Sequence, residues 1–134
     1  MKILLLVPLL LAACTGGSPP PESAAKSAET GHPTVAAPQA AWQEIRQGAL
    51  LIDVRTPAEF EQGHLKGAVN IPHDQIGEGV GKLGMEKDRK IVLYCRSGRR
   101  SGLAQQALQG LGYRSVLNAG GYEELRAAEP PPAR

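Results

Sequence analysis

Ile91-Val92-Leu93-Tyr94-Cys95-Arg96-Ser97-Gly98-Arg99-Arg100-Ser101-Gly102 is the stretch that decides the fold. Its first four residues are apolar or aromatic, show no alternation, and run straight into a cysteine. An apolar run this short and continuous reads as a strand buried on both faces of a parallel sheet. The composition then changes to Arg, Ser and Gly. From Leu103 the apolar positions Leu103, Ala104, Ala107, Leu108 and Leu111 recur at helical spacing. Strand, tight loop and helix thus follow one another, with Cys95 at the carboxyl end of the strand, where open α/β sheets bind ligands.

That position favours a reactive sulfur. Amides at a helix start have no intrahelical partner, and the aligned peptide dipoles place partial positive charge there. Together with the guanidinium groups of Arg96, Arg99 and Arg100, they stabilise a thiolate, and such surroundings lower a cysteine pKa from about 8.5. Cys95 is the expected catalytic nucleophile, and Arg96, Ser97, Gly98, Arg99 and Arg100 the expected substrate-binding loop. A half-buried structural cysteine is the plainer use of the residue; the arginines and glycines that follow favour the reactive one.

Loop length separates chemistries. Cysteine phosphatases use a Cys-x5-Arg loop, whose amides and closing arginine surround a phosphate. Here the sixth residue after Cys95 is Ser101, and an arginine falls one place early, at Arg100. The shorter loop makes a smaller nest of amides, suited to a persulfide sulfur rather than a phosphate.

Three blocks of this sequence resemble the rhodanese-like sulfurtransferases in their single-domain form, over about Trp42 to Leu125. The first is Leu51-Ile52-Asp53-Val54-Arg55-Thr56-Pro57-Ala58-Glu59-Phe60, continuing as Gly63-His64-Leu65-Lys66-Gly67-Ala68-Val69-Asn70-Ile71-Pro72. The second is the Cys95 loop and the third is Leu117-Asn118-Ala119-Gly120-Gly121-Tyr122. The resemblance implies an α/β rhodanese-like fold, a parallel sheet of about five strands with helices on both faces. It also implies transfer of sulfane sulfur from thiosulfate or a similar donor to cyanide or a thiol, through a persulfide on Cys95. No cofactor and no metal are expected, because the cysteines and the three histidines are scattered.

The chain has 134 residues, a length that fits one domain, and its formal charge of +2 gives no argument for nucleic acid. Met1-Lys2 and the apolar run Ile3 to Leu11 have the form of a secretory signal, too short for a transmembrane span of about 20 residues. Leu11-Ala12-Ala13-Cys14 resembles a bacterial lipobox, which implies removal of residues 1–13 and lipidation of Cys14. Residues 14–39, rich in Pro, Ser and Ala, read as a disordered tether. The domain is expected over residues 40–129. The protein is expected to be a monomer held to the bacterial cell envelope by its lipid, with the domain facing the periplasm. With Cys14 acylated, Cys95 is the one free thiol, and an unpaired cysteine in an exported protein points to chemistry or an intermolecular bond.

Within the domain, Ala40–Gln47 reads as a helix stopped by Gly48, Ala49–Val54 as a strand and Ala68–Pro72 as another. Asp53 and Arg55 are expected to give structural support as a buried pair holding neighbouring loops, and His64 to be a scaffold residue. One or two helical turns are expected in His73–Lys82, with Ile76, Val80 and Leu83 facing in. Tyr113–Asn118 reads as a strand and Tyr122–Ala127 as a last helix. Two other functions fit the same loop: a persulfide carrier or docking module without turnover, and, against the loop spacing, a phosphatase or arsenate reductase.

Overall fold

All five residues of Ile91–Cys95 are buried, and they form the strand β3 of a parallel sheet. The other strands, numbered in chain order, are β1 (Leu50–Asp53), β2 (Val69–Asn70) and β4 (Val116–Gly121). The order across the sheet is β2-β1-β3-β4, so β3 has partners on both sides. This computed structural model describes residues 34–132. The expected signal, Cys14 and the tether up to residue 33 lie outside the described residues.

Period-two alternation divides β3 between two cores. Ile91, Leu93 and Cys95 point to one face, with Ile52, Val54, Ile76, Val80, Ala104 and Leu108. Val92 and Tyr94 point to the other, with Ala41, Trp42, Leu51 and Leu125. The helices α3 (Ile76–Lys82) and α4 (Arg99–Gly110) cover the first face; α1 (Pro38–Arg46) and α5 (Tyr122–Ala127) cover the second. Full burial of a side chain such as Leu108 or Leu125 stabilises by roughly 1.5–3 kcal/mol. Trp42 Nε1 donates to the Leu125 carbonyl at 2.8 Å, joining α1 to α5. The remaining helix, α2 (Pro57–Gln62), begins with a capping box between Thr56 and Glu59.

The sheet has four strands rather than about five. Val35 makes a single parallel bridge to Asn118 outside β4, and Ala36 N donates to the Asn118 carbonyl at 2.8 Å. Pro38 starts α1 two residues later, so the chain leaves the sheet edge after one bridge. β4 also begins later than the expected Tyr113. The Tyr113 amide bonds to the Leu108 carbonyl and that of Arg114 to the Lys87 carbonyl, which keeps both out of the ladder. At its other end β4 runs on through Gly121, with a register shift between Leu93 and Cys95. In that bulge Gly120 takes φ +83°, next to the Cys95 loop. Of the residues expected inside, Ile76 and Val80 are buried, whereas Leu83 is 48% exposed at the C-cap of α3.

Candidate active site

The turn after β3 is set by Gly98, which holds φ +91° as N-cap of α4 and needs no side chain to do so. An ideal Cβ on Gly98 would lie 3.1 Å from Gly120 Cα. The close approach of these two backbones needs the missing side chain of Gly98, whereas at Gly120 it is φ +83° and the contact with Val35 that favour glycine. With the turn so folded, the Gly98 amide donates to Cys95 Sγ at 2.9 Å. The Ser101 hydroxyl, in the first turn of α4, lies 3.5 Å from the same sulfur.

Burial pushes the Cys95 thiol up, since a thiolate loses solvation there. The Ser101 hydroxyl and the amides of Ser101, Ser97 and Gly98 outweigh this and leave the thiol below its ordinary value. Hydrogen-bond donors are therefore what lower it: the loop amides, as the sequence leads one to expect, and the Ser101 hydroxyl, ahead of the loop arginines that the sequence places beside them.

The three arginines divide. Arg100 makes a two-pronged bond to Glu59, Nη1 to Oε2 at 2.8 Å and Nη2 to Oε1 at 3.0 Å. It is thus paired with α2, a partner the sequence reading of the substrate loop did not include. Glu59 is held down to about 2, chiefly by this bond and, against burial, by its bonds to Thr56. Arg96 and Arg99 are exposed and make no ion pair among the described residues. Arg96 stands with Arg55, Tyr122 and Arg126 around an open cleft of ≈ 400 Å³, whose wall also holds Glu59 and Glu123. A larger hollow of ≈ 670 Å³ lies at the opposite end of the sheet, against Gly48–Leu50 and Leu83–Glu86, and contains none of the expected site residues.

Asp53 and Arg55 form a buried pair. Arg55 Nη2 lies 2.6 Å from Asp53 Oδ2 and donates to the Gly63 carbonyl at 2.7 Å, linking the end of β1 to the turn after α2. The Arg55 guanidinium also lies over the Tyr122 ring, 4.5 Å from its centroid. His64 stacks on Phe60 with Nδ1 3.0 Å from the Phe60 carbonyl, and it does not contact Cys95.

Sequence reasoning missed Asn118. This fully buried residue accepts from the Ser101 hydroxyl at 2.7 Å and from the Gly120 amide at 3.0 Å through Oδ1. Its Nδ2 donates to the Gly98 carbonyl at 3.0 Å. Asn118 thereby connects the loop, α4 and the bulge of β4. The available signal was an amide side chain inside an otherwise apolar strand, two residues before a pair of glycines, since a buried polar group must find partners.

Residues 37–128 match the rhodanese-like domain. The chain belongs to the rhodanese-like family. It is 39% identical over 74 residues to the thiosulfate sulfurtransferase PspE of Escherichia coli, covering 55% of this chain and 71% of that protein. A sulfurtransferase of Allochromatium vinosum is 43% identical over 75 residues, 56% of this chain and 68% of its own. Among solved structures, the human single-domain sulfurtransferase TSTD1 superposes with TM-score 0.62 at 26% identity, over 74% of this chain and 99% of that one. The α/β architecture of this rhodanese-like domain, with its parallel sheet between helices, is the one expected from the sequence.

Proposed function

We propose that this rhodanese-like protein is a sulfurtransferase that carries sulfur as a persulfide on Cys95. The observation that carries the reading is the sulfur at the end of β3, held by the Gly98 amide at 2.9 Å with the Ser101 hydroxyl beside it. In the first half-reaction the Cys95 thiolate attacks the outer sulfur of thiosulfate. The S–S bond of the donor breaks and sulfite leaves with its electron pair. In the second, cyanide or a thiolate attacks the outer sulfur of the persulfide, the new S–S bond breaks, and the Cys95 thiolate returns. Ping-pong kinetics follow from two half-reactions through one covalent intermediate.

The loop amides serve both forms, because they stabilise negative charge on whichever sulfur carries it. Cys95 is buried, at the base of the loop that would receive the donor. Arg96 and Arg99, exposed and without ion pairs among the described residues, are the groups that draw in an anionic donor. The engagement of Arg100 with Glu59 weighs against phosphatase chemistry, which needs its closing arginine for the anion. We further propose that the protein acts as a lipid-anchored monomer of the bacterial envelope, a reading that rests on the leader and Cys14.

Intact mass after thiosulfate treatment tests the assignment. The expected result is a gain of one sulfur atom on the wild type and none on Cys95→Ser. Sulfur uptake by Cys95→Ser, or none by the wild type, overturns it.

A further inference from the structure

Val35 lies outside the matched family region and yet reaches the Cys95 loop. An ideal Cβ on Gly120 would lie 2.8 Å from Val35 Cγ1, and one on Gly98 would lie 3.4 Å from Val35 Cγ2. Each γ-methyl of Val35 thus faces one of the two glycines whose backbones meet beside the sulfur. The residue is held in place by the bridge to Asn118 and by the Ala36 amide on the Asn118 carbonyl. Asn118 in turn fixes the Gly98 carbonyl, the Gly120 amide and the Ser101 hydroxyl through its side chain. Val35 is 51% exposed, so solvent exclusion alone accounts for only part of its contact.

We propose that Val35 is a positioning residue for Cys95: its branched side chain fills the notch between Gly98 and Gly120 and keeps the Gly98 amide aimed at the sulfur. Asn118 Nδ2 holds the Gly98 carbonyl, while the γ-methyls of Val35 close the side of the turn on which a Gly98 Cβ would lie. Without those methyls Gly98, at φ +91° and without a side chain, has room to rotate its amide away. The charged groups on the packed elements are otherwise engaged. Arg100 of α4 is paired with Glu59, and Arg55 at the end of β1 with Asp53; neither pair includes Val35. Arg96 and Arg99 sit in the loop itself.

The inference rests on Cys95 as the reactive sulfur, and its test reads the thiol directly. The rate of alkylation of Cys95 by iodoacetamide is measured against pH in the full chain for wild type, Val35→Ala and Val35→Thr, each with its melting temperature. Val35→Ala is expected to move the inflection up, with an alkylation rate about threefold lower on the acid side of it, without loss of the folded state. Val35→Thr, which keeps the branched shape, is expected to retain the wild-type inflection. An unmoved inflection in Val35→Ala, or an equal shift in Val35→Thr, overturns the proposal. A protein that takes up no sulfur from thiosulfate but shows the expected shifts would refute the functional reading and leave this one standing.

Discussion

Ser101 Oγ lies 2.7 Å from Asn118 Oδ1, nearer than to either of its other acceptors, the Gly98 carbonyl at 3.0 Å and Cys95 Sγ at 3.5 Å. The hydroxyl has one proton to give. Asn118 Oδ1 is fixed as an acceptor by the Gly120 amide, so with a neutral thiol the proton goes to Asn118. A thiolate competes for it, because charge-assisted bonds are the stronger ones. Ser101 is therefore a donor that responds to the state of the sulfur, whereas the Gly98 amide is a constant one.

Ser101→Ala should raise the Cys95 inflection and slow sulfur uptake on the acid side of it by up to about tenfold. The stability cost should be about 1 kcal/mol, since Asn118 keeps its bonds to Gly98 and Gly120. Stopped-flow uptake of sulfur across pH checks this. A profile superimposable on wild type would show that the amides alone hold the thiolate.

The Glu59–Arg100 pair predicts a pH dependence of stability. Glu59 has a folded value of about 2 against an ordinary 4.5, so its contribution is full above pH 4.5 and is lost as pH falls toward 2. The pair is partly exposed, and we expect no more than about 1 kcal/mol from it. The difference in melting temperature between wild type and Glu59→Gln should accordingly shrink from pH 5 to pH 2. A difference constant across that window would mean that the bond does not depend on the carboxylate charge.

The same pairing predicts that Arg100 supports the loop rather than the substrate. Arg100→Ala should reduce sulfur uptake from thiosulfate and from an uncharged sulfane donor by similar factors. Arg96→Ala should affect thiosulfate more. Steady-state comparison of the two donors decides between these roles, and a loss confined to thiosulfate in Arg100→Ala would place that guanidinium on the substrate.

Arg55→Ala strands a carboxylate, Asp53, that is 0% exposed. Removing one partner of a buried pair costs roughly 3–5 kcal/mol, mostly through the charge left behind. Arg55→Ala combined with Asp53→Asn should regain part of that loss in urea unfolding. A double variant no more stable than Arg55→Ala would mean that the Gly63 carbonyl and Tyr122 ring, rather than Asp53, account for the loss.

These residues also show what could be read from the chain alone. β3 and its loop were legible because an uninterrupted apolar run ending in Cys95 has few other readings. The stop of the first helix at Gly48, where φ is +97°, was legible as a local signal of the same kind. The partner of Arg100 was not, since Glu59 stands 41 residues away and charge carries no address. Tyr113-Arg114-Ser115 has strand-like composition, yet its amides close the end of α4 and bond to the Lys87 carbonyl, which only the packed chain decides. Leu103 and Leu111 fit the apolar face of α4 by spacing but are half exposed, and the core takes Ala104 and Leu108 instead.

The two glycines that flank α4 allow a matched test of the site. Gly98 and Gly112 hold φ +91° and +94°, so an alanine at either carries the strain of the left-handed region, about 1–2 kcal/mol. Their surroundings differ. A Cβ at Gly112 meets nothing nearer than Lys87 Cδ at 4.0 Å, the end of a flexible side chain. One at Gly98 lies 3.1 Å from Gly120 Cα and 3.4 Å from Val35, so the turn itself must shift. Such a shift is expected to disturb the bond from the Gly98 amide to Cys95 Sγ, 2.9 Å in the wild type. Both variants should therefore lose stability, Gly98→Ala somewhat the more, but only Gly98→Ala should lose sulfur transfer, by about tenfold or more. Melting temperatures and thiosulfate turnover of the two proteins check this together. Equal loss of turnover in Gly112→Ala would tie activity to general stability, and full turnover in Gly98→Ala would remove the Gly98 amide from the chemistry.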